Sequence, residues 1–159
     1  MSDREGAMTE KNYESAIKHA RELKSQGKEN EMMPRNAFWA PITASRFLSL
    51  QDMGGEDDFF SSDLTDKEMQ HKLSHIGDHK HGLTLLAAFS GKDEYVPSHV
   101  DKVQLLDRLC TAMNFNCELN HISNVAVPLM LETGNHNLSN EETDAEKFIE
   151  AIENQIKLL

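Results

Sequence analysis

Leu83-Thr84-Leu85-Leu86-Ala87-Ala88-Phe89, running straight into Ser90-Gly91-Lys92-Asp93-Glu94-Tyr95-Val96-Pro97, is the stretch on which the fold turns. A nearly continuous apolar run of strand length, bounded by Gly82 and Gly91, is the pattern of a parallel strand covered on both faces. After it, Ser98 is placed to cap a helix whose Val103, Leu106, Leu109, Cys110 and Met113 share one face. Val125-Ala126-Val127-Pro128-Leu129-Met130-Leu131 then repeats the strand pattern, with Pro128 arguing for an edge or a bulge because proline donates no ladder hydrogen bond. Gly134-Asn135-His136-Asn137-Leu138-Ser139 follows as a second loop. Ser139 with Glu142 reads as a capping box, and Ala145, Phe148, Ile149, Ile152, Ile156 and Leu159 stripe a last helix. The order strand, helix, strand, helix predicts an α/β fold with two adjacent parallel strands joined by a crossover helix.

Upstream of this unit the pattern is helical. Tyr13, Ala16, Ile17, Ala20 and Leu23 recur at helical spacing between about Thr9 and Ser25, and Gly27 supplies a stop. From Gln26 to Gly55, Pro34, Pro41 and Gly54-Gly55 break the chain into short helices and loops, in which Phe38, Trp39, Ile42, Phe47, Leu48 and Leu50 are apolar enough to be buried. Thr65 with Glu68 forms a capping box, flanked by Leu64 and Met69 at hydrophobic-staple spacing, so a helix starts near Asp66 and Gly77 ends it.

With 159 residues, 38% hydrophobic and 27% charged, the composition is that of one globular domain. A net charge of −11, from 16 basic and 27 acidic residues, repels phosphate backbones and anionic lipid surfaces, so nucleic acid and membranes are excluded as partners. No run approaches the ~20 apolar residues of a membrane span, and Met1-Ser2-Asp3-Arg4-Glu5 is too polar for a secretory signal, which predicts a cytoplasmic protein. Cys110 and Cys117 have no Cys-x-x-Cys spacing and read as free thiols.

Two polar residues stand where chemistry favours the carboxyl edge of an open α/β sheet: Asp93 after the first strand and His136 after the second. Taken singly, Asp93 is a turn residue and His136 a solvated loop histidine. Together, in the order in which an α/β-hydrolase triad places its acid and base, they read as the orienting carboxylate and the general base of a hydrolase. Glu94 is a rival acid whose side chain should point away from its neighbour's. The nucleophile is not in the sequence, since no serine has the Gly-x-Ser-x-Gly elbow. His71, His75, His79 and His81 form a second cluster, but without His-Glu-x-x-His or a nearby cysteine it carries no metal assignment. Glu56, Asp57, Asp58 and Asp63 fail the spacing of a calcium loop and read as a surface loop.

Blocks of the sequence resemble a known family. Ser2-Asp3-Arg4-Glu5, Met33-Pro34, Pro41-Ile42-Thr43-Ala44-Ser45-Arg46-Phe47, Gly54-Gly55-Glu56-Asp57-Asp58-Phe59-Phe60-Ser61-Ser62-Asp63-Leu64, Ser90 to Pro97 and Val100-Asp101-Lys102 are similar to successive stretches of a largely uncharacterised fungal α/β-hydrolase-like family that includes esterases of fusarinine-type siderophores. The resemblance covers the family's carboxyl-terminal half. It implies a partial α/β-hydrolase fold, made of the last strands and helices of a mostly parallel sheet plus a helical lid-like segment, and a division into that segment, 1–78, and the strand and helix unit, 79–159. It also implies Asp93 as triad acid, His136 as triad base, no cofactor, and a small-molecule ester as substrate of the complete protein. The nucleophile would lie upstream of Met1, so the isolated chain is expected to be inactive and to self-associate through an exposed sheet edge. A non-catalytic gene remnant and an interaction module stay open beside the enzyme.

Overall fold

The computed structural model describes residues 10–78, 84–140 and 142–157, in two compact units that meet in sequence at Asp63 and Leu64. Leu64, Met69 and Leu73 are buried in the second unit, where the helix carrying Met69 and Leu73 packs on the crossover helix.

In the first unit, α1 (Glu10–Ser25) packs against α2 (Ala44–Gln51). Ile17, Ala20 and Leu23 bury the predicted stripe of α1 against Ile42, Ala44, Phe47 and Leu48. Gly27 ends α1 with φ +69°, which lets its N–H reach Lys24 O (3.0 Å) and that of Lys28 reach Leu23 O (2.9 Å), a Schellman stop. Tyr13 donates its hydroxyl to Gln51 O at 2.7 Å, and Arg21 grips Asp52 with two nitrogens, so the carboxyl end of α2 is tied to α1 at two points. Trp39 departs from the prediction and is 87% exposed. Phe38 takes the inward place, edge-on to Phe47 at 6.3 Å, and its neighbour is left outside. Asp58 departs too, buried rather than on a surface loop, with its carboxylate accepting from Ser61 N.

The second unit begins with α3 (Asp66–Leu73), whose Thr65 and Glu68 make both bonds of the predicted capping box. A 3₁₀ turn, Ser74–Asp78, continues it, so Gly77 sits inside that turn rather than ending the helix. Then come β1 (Leu85–Ser90), α4 (Lys102–Leu119), β2 (Ala126–Leu131) and α5 (Glu142–Lys157). Leu83, and His79 and His81 of the histidine cluster, lie outside the described residues, as do Ser2 to Glu5 and Leu159. The cap of α4 is Asp101, accepting from Gln104 N at 2.9 Å, and not Ser98; Val103 is accordingly exposed, while Leu105, Leu106, Leu109, Cys110, Ala112, Met113 and Cys117 are buried. Likewise α5 is described from Glu142 onward, and among the described residues no capping-box bond joins Ser139 and Glu142.

The strands pair in parallel, Leu85 opposite Ala126 through Ser90 opposite Leu131. Leu85 N donates to Val125 O and Gly91 N to Leu131 O, so odd-numbered residues of β2 face β1 and even-numbered ones face outward. That outer side is capped at Ala126. The Asn114 amide donates to Ala126 O at 2.9 Å and accepts from Ala126 N at 2.8 Å, as a further strand would, and Pro128 has no N–H to present. The edge position expected from Pro128 is thus observed. The far edge of β1 has no strand beside it among the described residues. Consistent with that, β1 is half-buried instead of covered on both faces, and Ile149, Ile152 and Ile156 of α5 are exposed, because two strands offer too little sheet to cover them.

Candidate active site

The acid loop is built by the close approach of two strand ends. Gly91 N bonds Leu131 O at 2.6 Å, and a Cβ on Gly91 would lie 2.2 Å from Glu132 O, so only glycine lets β1 leave the sheet here. Lys92 N donates to Gly134 O at 3.0 Å, joining the acid loop to the base loop through main chain. From α4, Lys102 Nζ holds Gly91 O at 2.8 Å and Asp93 O at 3.0 Å.

Asp93 divides its two oxygens. Oδ1 accepts from Tyr95 N at 2.9 Å, the local turn bond that makes aspartate common in loops, while Oδ2 lies 2.9 Å from His136 Nδ1. One carboxylate therefore makes both the local turn bond and the contact to the imidazole. Asp93 is 11% exposed at its side chain and His136 56%, so the acid is sheltered and the far side of the imidazole is open. A neutral ring that donates Nδ1–H to this carboxylate leaves Nε2 without a proton.

Glu94 does not compete for the ring. Its carboxylate accepts from His136 N at 3.1 Å, and that bond is the main cause holding the Glu94 carboxyl below its ordinary value. Tyr95 meets the imidazole edge-to-face, with centroids 4.9 Å apart and planes at 83°. Three consecutive residues thus grip one histidine, by ring nitrogen, main chain and ring face.

The base loop is held from behind. Asp144, 1% exposed in the first turn of α5, accepts from Thr133 N (2.7 Å), Thr133 Oγ1 (2.9 Å) and Gly134 N (2.7 Å). These bonds, led by that from Thr133 N and helped by Lys147, hold its carboxyl down to about 2. Asn140 adds an acceptor for Asn135 N at 2.7 Å and a donor to Thr133 O at 2.9 Å. Sequence reasoning missed Asp144 and Asn140. An acid in a helix's first turn reads as an ordinary partner of the helix dipole, and no spacing marks its true partners in the preceding loop.

A groove of about 690 Å³ opens beside the acid loop, with Val96, Pro97, Val103 and Met130 in its wall together with Ser98. No hydrogen bond joins a serine hydroxyl to His136 among the described residues. His71 and His75 are exposed, and no group of three or more metal-ligating side chains occurs among the described residues. Cys110 and Cys117 are buried free thiols. No helix among the described residues is long and apolar enough to cross a membrane.

Parallel strands joined by a crossover helix, with a carboxylate and an imidazole paired at their carboxyl ends, define part of an α/β-hydrolase fold. The chain belongs to the family described as Protein of unknown function (DUF1749), whose model matches residues 1–157. It is 41% identical to the fusarinine C esterase sidJ of Aspergillus fumigatus over 49% of this chain and 24% of that protein. It is 44% identical to esterase AN6793 of Emericella nidulans over 42% of this chain and 20% of that protein, and 35% identical to the UPF0613 protein PB24D3.06c of Schizosaccharomyces pombe over 68% and 38%. The siderophore hydrolase EstB from Aspergillus fumigatus has a similar fold, with a TM-score of 0.73 and 24% identity over 99% of this chain and 55% of that one. The matched region therefore spans well under half the length of these curated relatives.

Proposed function

We propose that the chain supplies the acid and base of a serine ester hydrolase acting on a small-molecule ester of the fusarinine siderophore type. Asp93 fixes the imidazole tautomer, and His136 takes the proton of an attacking serine and returns it to the leaving alcohol. The observation that carries this is the 2.9 Å contact between His136 Nδ1 and Asp93 Oδ2 at the carboxyl ends of adjacent parallel strands. The family's esterases support the reaction class and the substrate class. On this proposal residues 1–78 include the lid-like segment, no cofactor takes part, and the serine comes from polypeptide outside these residues, because none of the serines here has a nucleophile elbow. The chain alone is then inactive and self-associates through the open edge of β1.

The test is fluorophosphonate labelling together with cleavage of short activated esters. The purified chain is expected to do neither. Co-expressed with the part of a full-length family relative that precedes the matched region, it is expected to restore both, with His136→Ala abolishing turnover and Asp93→Asn reducing it about 10⁴-fold through the wrong tautomer. Full activity in both variants would refute the assignment. The absent elbow also supports a second reading, a non-catalytic remnant or interaction module, which predicts binding of that polypeptide or none, with no turnover in either case.

A further inference from the structure

Four consecutive main-chain N–H groups lead to the proposed base, and each goes to a side chain. Thr133 N and Gly134 N donate to Asp144, Asn135 N to Asn140 and His136 N to Glu94. Past Leu131 the strand ladder has ended, and side chains take over as the acceptors of these N–H groups. Asp144 is the one of these acceptors that is buried, and a single oxygen of it serves two N–H groups and a hydroxyl. Bonds to an ionised acceptor are roughly twice as strong as neutral ones, and a buried N–H stripped of its acceptor bears the full desolvation cost. Gly134 also passes position onward, since its carbonyl receives Lys92 N from the loop that carries Asp93.

We propose that Asp144 is a positioning residue for His136: its carboxylate fixes the main chain at Thr133 and Gly134 and thereby seats the imidazole against Asp93. This rests on the reading of His136 as the base. An acid serving only the helix dipole would face the first N–H groups of α5 itself; Asp144 Oδ2 faces instead the loop before the helix. Its other oxygen takes Lys147 Nζ at 3.2 Å, on the side away from the loop bonds.

The experiment is ¹⁵N NMR of the full 159-residue chain labelled at histidine, reading the tautomer of His136 at a pH where the ring is neutral, with circular dichroism melts of each variant. The unsubstituted chain is expected to show the Nδ1–H form. Asp144→Ala is expected to lose most of that population to the Nε2–H form while its far-ultraviolet spectrum stays unchanged. Asp144→Asn, which keeps a neutral acceptor, is expected to be intermediate. A folded Asp144→Ala chain that keeps the Nδ1–H form overturns the proposal. Where the alanine variant loses its cooperative melt, Asp144→Asn decides, and an unchanged tautomer there overturns it. Failure of the underlying reading is visible separately: the Nδ1–H form would then be missing from the unsubstituted chain or would persist in Asp93→Ala.

Discussion

Replacing Gly91 by alanine drives a methyl group into the main chain of β2 just past its end. The new Cβ would stand 2.2 Å from Glu132 O and 2.8 Å from Glu132 C, both backbone atoms that no rotamer change can clear. Reaching even a 3.0 Å contact parts the two strand ends by about 0.8 Å, which is expected to weaken the 2.9 Å contact between Asp93 and His136 a few residues on. Overpacking of this kind costs about 1–3 kcal/mol, and the Gly91 to Leu131 bond stretches with it. Equilibrium urea unfolding measures the first quantity and the ¹⁵N tautomer signature of His136 the second. In a reconstituted enzyme a displacement of this size is expected to lower turnover about 10²-fold. A Gly91→Ala chain with an unchanged midpoint and an unchanged Nδ1–H signal would refute the claim that close approach of the strand ends sets the pair.

Asp144 gives an acid-limb prediction. Its folded value, about 2, lies below the ordinary carboxyl value, so its contribution to stability is complete above about pH 4 and fades as pH falls toward 2; melts from pH 5 to 2 should lose that part of their slope in Asp144→Asn. Phe47→Ala, at a fully buried ring, should destabilise the first unit by about 3–5 kcal/mol in denaturant unfolding, while the His136 tautomer stays as it was. Asn114→Leu removes the amide that closes Ala126 on the outer edge of β2, and light scattering should show more self-association than in the unsubstituted chain.

Local pattern alone determined the elements. Apolar runs of strand length, the Thr65 and Glu68 box and the helical stripe of α1 are set by neighbours within a few residues, so β1, β2, α1 and α3 were legible, with small shifts at their ends. The order of Asp93 and His136 along the chain, each just beyond an apolar run, was legible for the same reason. Tertiary structure decided what depends on partners distant in sequence. Trp39 was left outside while Phe38 packed against Phe47, and Glu94 turned from rival acid to holder of the His136 main chain, a bond spanning 42 residues. Asp144 is the sharpest case: no spacing identifies a buried carboxylate whose partners are main-chain amides, because every residue carries the same amide and only packing of α5 behind the loop selects Thr133 and Gly134.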